Sequence, residues 1–214
     1  MDKNSVIAIL LAAGSSNRMG QNKIALPLGS STIGSYGLRQ FIQSNIDHIF
    51  VVTKENDSLD WIDRDLFQFP NRDYWSQVPC GNAFQGQSFS LKCGLTAALK
   101  MNPLGIMILL ADQPFLSIKT INELHENYIK CISETPEIPF LAASFHGIPR
   151  PPIVFSANTV PDLYMLNGDQ GARVLIRKQT NLEGLLVEFD NKWDFFDIDT
   201  KDAYEVAKGV EFNN

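Results

Sequence analysis

Three short apolar runs, Val6 to Leu11, Ile49 to Thr53 and Ile106 to Leu110, dominate the hydrophobic pattern, and each stops abruptly at small, polar or proline-bearing residues. Runs without polar alternation are expected of strands buried on both faces, as in parallel sheets covered by helices. Between the first two, Ile33, Tyr36, Phe41 and Ile42 fall at helical spacing across Ile33 to Ser44, interrupted by Gly34 and Gly37. A βαβ unit is predicted. Trp61 to Cys80 reads as irregular and aromatic-rich, and Ser88 to Lys100 as a helix through Leu91, Leu95, Ala98 and Leu99 that feeds the Ile106 strand.

The second half is less regular. Pro114 stops the Ile106 strand as a central ladder member, and Ser117 is placed to N-cap a helix running to about Lys130, with Glu123 and Glu126 toward solvent. Short strands at Leu141 to Phe145 and Ile153 to Phe155 flank a predicted proline-rich turn at Pro149, Pro151 and Pro152. A helix over Gly171 to Lys178, strands at Leu185 to Phe189 and Phe195 to Ile198, and a final helix from about Thr200 complete the pattern. Alternating units followed by an irregular half suggest an α/β fold, a Rossmann-like, mostly parallel doubly wound sheet with a small antiparallel portion. Ligands of such sheets bind at the carboxyl ends of the strands. The loop at Gly14 and the turn at Asp112 both lie there, so they can share one site.

A length of 214 residues, with 44% hydrophobic and 20% charged, suits one domain over 1–214. The net charge of −6 disfavours a nucleic-acid partner. No apolar run spans a bilayer, so no membrane is expected either. Val6 to Ala13 is too short for a signal core, and Asp2 precedes it. The three cysteines, Cys80, Cys93 and Cys131, contain no CxxC. Neither a disulfide framework nor a zinc site is suggested, and a cytoplasmic location fits. The three histidines form no ligand spacing.

Leu10 to Lys23 carries the clearest chemistry, since it runs an apolar strand into a small, cationic loop. Gly14 and Gly20 permit a turn that turns backbone N–H groups toward phosphate oxygens, Ser15 and Ser16 add hydroxyls, and Arg18 and Lys23 add charge on long arms. It is neither a Walker loop nor a GxGxxG fingerprint. The competing reading is a solvated surface loop. Asp112 directly follows a buried strand, where an unpaired carboxylate is costly. Mg²⁺, which takes hard oxygen ligands, would compensate it; otherwise Asp112 simply opens the following turn.

Leu11, Ala12, Ala13, Gly14, Ser16, Arg18, Met19, Gly20 and Lys23 match the LAAGxSxRMGxxK signature, and the chain thereby resembles the MobA-like nucleotidyltransferases, especially the molybdenum cofactor cytidylyltransferase branch. Ala-Asp112-Gln-Pro is similar to the family's ADxP segment, whose Asp binds magnesium. Asp197-Ile-Asp199-Thr-Lys201 is similar to the closing D(I/V)(D/N)TP segment, which implies Asp199 as second metal ligand, with Asp197 the other candidate and Lys201 in the usual proline position. Asp199 equally suits a place ahead of a helix N-terminus. Gly86 to Gly94 resembles GMSSSLxxG, implying a nucleotide contact at Ser88 or Ser90, either of which also suits an N-cap. Leu166 to Arg173 resembles the SGDxGAR segment. There Asp169 caps a helix or meets ligand, Gly168 and Gly171 allow close approach, and Arg173 is a candidate for the acceptor phosphate. One departure concerns the acceptor half: Arg150-Pro151-Pro152 stands where the branch has Gly-His-Pro.

The resemblance implies a fold of the nucleotide-diphospho-sugar transferase type, with a nucleotide-binding half over about 1–115 and an acceptor half over about 116–214. It implies transfer of CMP from CTP to the phosphate of a molybdopterin-type acceptor with release of pyrophosphate, Mg²⁺ as cofactor and a recipient molybdoenzyme as a further partner. Lys23, Arg18 and Asp112 would be catalytic, and Leu11, Ala12, Ala13, Gly14 and Ser15 would contact nucleotide. The Ala-Ala-Gly form of the loop, rather than Ala-Gly-Gly, points to CTP by resemblance. The alternatives are a transferase acting on a sugar or polyol phosphate, and a non-catalytic accessory protein that delivers cofactor to a molybdoenzyme.

Overall fold

The apolar runs form the centre of a seven-stranded sheet in a computed structural model that describes residues 5–14, 19–177 and 182–210. In chain order the elements are β1 (Val6–Leu11), the hairpin β2 (Pro27–Leu28) and β3 (Ser31–Thr32), α1 (Ile33–Ile42), β4 (His48–Lys54), β5 (Trp75–Cys80), α2 (Gln87–Ala98) and β6 (Gly105–Leu110). Then follow α3 (Ile118–Glu134), β7 (Phe140–Phe145), β8 (Ile148–Ser156), α4 (Val160–Met165), β9 (Leu185–Glu188) and α5 (Lys201–Lys208). The order across the sheet is β5-β4-β1-β6-β8-β7-β9. β8 runs antiparallel to both its neighbours, and the other pairings are parallel. The expected Rossmann-like, mostly parallel sheet with a small antiparallel portion is the fold.

Alternation along β1 divides the core. Val6, Ala8 and Leu10 pack with Leu38 and Phe41 of α1 and Ile121 and Leu124 of α3, while Ile7 and Ile9 pack with Leu91 and Leu95 of α2 and Leu163 of α4. Each fully buried aliphatic side chain contributes about 1.5–3 kcal/mol, so the central strands anchor the fold. Gly94 lets α2 lie directly on β1, since a Cβ there would come 2.4 Å from Ile9 Cγ2. Thr32, Ser117 and Thr200 each accept a backbone N–H at the start of their helices.

Several expectations change. Trp75 to Cys80, read as irregular, is edge strand β5; its Ser-Gln-Val-Pro sequence hides the strand, because only Trp75 and Cys80 are buried. Pro149, Pro151 and Pro152 form no turn but lie within β8. Arg150 pairs with Ala143 and Ile153 with Ala142, so Pro151 and Pro152 are extra residues at a register shift. Within β8, β6 pairs only with 153–156. The prolines, lacking an N–H, are tolerated because that part of β8 extends past β6. Gly171 to Lys178 is not an α-helix: Ala172–Ile176 is a 3-10 turn, and Lys178 lies outside the described residues. Phe195 to Ile198 is not a strand. A 3-10 turn covers Lys192–Phe195, and Ile198 donates to the Asp112 carbonyl at 3.0 Å. Cys80 and Cys93, expected free, are disulfide-bonded with Cα atoms 6.0 Å apart. No motif marks this pair, because β5 and α2 come together only when the helix folds back on the sheet. Among the described residues no helix is long and apolar enough to cross a membrane.

Candidate active site

At the carboxyl end of the parallel strands lies a cavity of about 230 Å³, lined by Leu11, Ala12, Ala13 and Gly14 from the first loop and by Asn22 and Lys23 from the 3-10 turn before β2. Gly86, Gln87 and Ser90 at the start of α2, Phe84 before it, Asp112 after β6, and Asp169 complete the wall. The Ala12 N–H donates to Val52 O and the Ala111 N–H to Leu11 O, so the three strand ends hold the loops in one place. Ser15, Ser16 and Arg18 lie outside the described residues.

The Lys23 ammonium donates to the carboxylates of both Asp112 and Asp199, with the Asp199 contact at 2.5 Å. Burial acts to lower the Lys23 pKa, but the charges and hydrogen bonds of Asp112 and Asp199 outweigh it and hold the group above its ordinary value. Residues 89 and 176 positions apart from Lys23 thus converge on one cation. Two carboxylates meeting at one positive charge form a hard-oxygen donor set that fits Mg²⁺ supplemented by nucleotide phosphates. Among the described residues, no group of three or more His, Cys, Asp or Glu could hold a metal on its own. Asp197 stands behind this pair, accepting from Gln113 Nε2 at 2.7 Å. Burial, then the Asp112 charge, pushes its pKa up.

Asp194 secures the segment that carries Asp197 and Asp199. Its side chain is buried and accepts from the Ser117 N–H at 3.1 Å, the Ser117 and Thr120 hydroxyls, and Asn191 Nδ2 at 3.0 Å. Beside it, Phe115 packs edge-on against Trp193.

Ser90 lines the cavity, but Ser88 does not; its hydroxyl donates to the Gly168 carbonyl at 2.9 Å and its N–H to the same oxygen at 3.1 Å. The two segments touch through backbone at Gly86, where φ is +127° and a Cβ would lie 2.3 Å from the Gly168 carbonyl. Asp169 caps no helix, since the turn after it begins at Gly171 without a side-chain cap. Gly171 leaves room for Gln87, whose Oε1 would be 2.4 Å from an added Cβ.

Arg173 lines a second, smaller cavity of about 160 Å³ with Gln113, Arg150, Pro151 and Asp197. Gln87 and Leu110 line both cavities. The sequence pattern by itself does not mark Gln87, Gln113, Arg150 or Phe84 as site residues. Gln113 directly follows Asp112, and Arg150 begins the Arg-Pro-Pro departure; both positions were signals. Phe84 is 84% exposed at the cavity rim, a position visible only in three dimensions.

Residues 8–183 match the family model described as MobA-like NTP transferase domain. The chain belongs to that family. Its members are nucleotidyltransferases, and the motif from Leu11 to Lys23 points to the same family. The chain is 39% identical over 204 residues, 95% of its length and 96% of the relative's, to purine catabolism protein PucB of Bacillus subtilis (strain 168). Rv0371c of Mycobacterium tuberculosis H37Rv shares the fold at a TM-score of 0.72 and 22% identity, over 97% of this chain and all of that one; it has also been solved with manganese. A nucleotidyl transferase from Methanothermobacter has the same TM-score of 0.72 at 18% identity, over 96% of each chain.

Proposed function

We propose that this nucleotidyltransferase moves CMP from CTP to the phosphate of a molybdopterin-type acceptor, releasing pyrophosphate, in the service of purine catabolism. The reading is supported most by the adjacency of two unlike cavities, one under the Ala12–Gly14 loop beside Lys23 and Asp112, the other beside Arg173, with Gln87 and Leu110 shared between them. The name of the Bacillus subtilis relative supports the physiological setting.

An oxygen of the acceptor phosphate is itself the nucleophile, so no protein base is needed. It attacks the α-phosphorus, the bond to the β-phosphate oxygen breaks, and pyrophosphate leaves with the electron pair. The work of the protein is alignment and charge stabilisation. Asp112 and Asp199 would hold a divalent cation, which supplies positive charge to the nucleotide phosphates when bound. Lys23, freed from the two carboxylates, neutralises the α-phosphate as charge builds there. Backbone N–H groups near Gly14 and the Arg18 guanidinium hold the triphosphate and leaving group, and Ser90 and Asp169 border the nucleotide. Ala13, bearing a methyl where glycine would leave more space, favours a pyrimidine over guanine.

The test is pyrophosphate release from CTP and from GTP with Mg²⁺, with and without molybdopterin. Release with CTP that requires molybdopterin is expected. Binding of both ligands without release would identify a carrier, release only with a sugar or polyol phosphate would change the acceptor, and equal kcat/KM with GTP would remove the cytidine preference.

A further inference from the structure

β8 is antiparallel, so its first residues reach the same edge of the sheet as the carboxyl end of β6. That brings Arg150 to the smaller cavity, which Arg173 also lines from the turn after Gly171. Both arginines keep a buried Nε with no hydrogen-bond partner among the described residues, and so does Gln113 Oε1 on the same wall. Burial, together with the charges of Arg150 and Arg177, pulls the Arg173 pKa down. Two like charges lining one cavity, each with a buried Nε that lacks a partner, favour an anion there. Asp197, the one carboxylate on the wall among the described residues, accepts from Gln113 Nε2, and its charge acts on both arginines, but it hydrogen-bonds the Nε of neither.

We infer that Arg150 and Arg173 form a two-sided clamp for the phosphate monoester of the acceptor, with Arg150 the specificity-determining residue that this chain adds to the acceptor cavity. The inference rests on the nucleotidyl-transfer reading for its reaction, but the clamp is defined by its own residues. A tetrahedral phosphate presents separate oxygen edges to two planar guanidinium forks, which a carboxylate cannot do. The cavity, about 160 Å³, admits a phosphate group rather than a whole acceptor, and it adjoins the nucleotide cavity through Gln87 and Leu110. A phosphate held there faces the nucleotide, and the two guanidinium charges offset the repulsion between acceptor and triphosphate. A monoprotonated phosphate oxygen would donate to Gln113 Oε1.

The experiment is titration of inorganic phosphate into the full chain, alone and saturated with Mg²⁺ and a non-hydrolysable CTP analogue, by calorimetry. One phosphate is expected to bind the nucleotide-saturated protein. R150Q and R173Q should each weaken it by about 10- to 100-fold, the scale of a lost charged hydrogen bond, with affinity for the analogue nearly unchanged. R150K, which keeps the charge and loses the fork, should fall between wild type and R150Q, and it serves if R150Q does not fold. Phosphate binding to nucleotide-saturated R150Q or R150K at wild-type strength would overturn the clamp, as would a wild type that binds no phosphate. If the analogue fails to bind but phosphate affinity still falls in R150Q and R173Q, the nucleotide reading fails and the clamp stands.

Discussion

The two sides of the site are held in place by different physics. Asp112 and the Ala12–Gly14 loop leave strands whose residues are almost entirely buried, in the middle of a parallel sheet covered on both faces, and Lys23 reaches them from the 3-10 turn before β2. Arg150, Arg173, Asp197 and Asp199 stand on a bulged strand, a 3-10 turn and irregular chain, where the segment of Asp197 and Asp199 is fixed by hydrogen bonds to Asp194 and from Gln113, and the segment ahead of Arg173 by a bond from Ser88 to Gly168. Apolar burial is non-directional and tolerates a shift in chain position. The polar locks are directional and fail when one partner is lost. The side at the Ala12–Gly14 loop is therefore robust, and the side at Arg150 and Arg173 is specified group by group.

The sharpest way to probe the contrast is where the two sides meet, at Lys23 between Asp112 and Asp199. Asp112→Ala should reduce metal-dependent turnover by about a thousandfold or more, on the scale of removing a preorganised electrostatic group, while circular dichroism shows the fold intact. A folded variant with normal turnover would remove Asp112 from the chemistry. Lys23→Ala should lower kcat by at least roughly a hundredfold under saturating substrates, and rates equal to wild type would sink its transition-state role.

Asp194→Ala tests whether the side carrying Asp197 and Asp199 depends on polar locks. It strips acceptors from the Ser117 N–H and the Thr120 hydroxyl in a buried place, and should cost about 2–3 kcal/mol in urea unfolding. A loss below about 0.5 kcal/mol, the range of ordinary surface changes, would show that packing of Phe115 and Trp193 suffices.

The smallest effect is expected away from the site, where Arg39 bridges Asp63 and Asp65 at the surface. The hydrogen bond from Arg39 holds the Asp65 carboxyl below its ordinary value of 3.8. Because its folded pKa is depressed, its contribution is present above pH 3.8 and lost as pH falls through the folded value. Half-exposed and screened, Asp65→Asn should cost less than about 1 kcal/mol at neutral pH. Thermal melts at pH 7 and at successively lower pH below 3.8 should show the difference shrink as the pH falls; a constant gap would mean the ion pair is not its source.

Periodicity and loop chemistry alone identified β1, β4, β6 and the helices α1, α2 and α3 to within a few residues, because continuous apolar runs and Ser or Thr caps act locally. The sequence by itself also marked Lys23, Asp112, Asp199 and Arg173 as site candidates, through the loop after β1 and through motif resemblance. Only the tertiary structure decided that one ammonium spans Asp112 and Asp199, that Ser88 serves Gly168, that Cys80 meets Cys93, and that the prolines of β8 lie in a strand beside Arg150. The first three are contacts between residues separated along the chain, at least one of them polar or sulfur-bearing, and the last depends on the pairing of β8 with β7. Such contacts leave no periodic trace, and their geometry exists only once the buried sheet has brought the segments together.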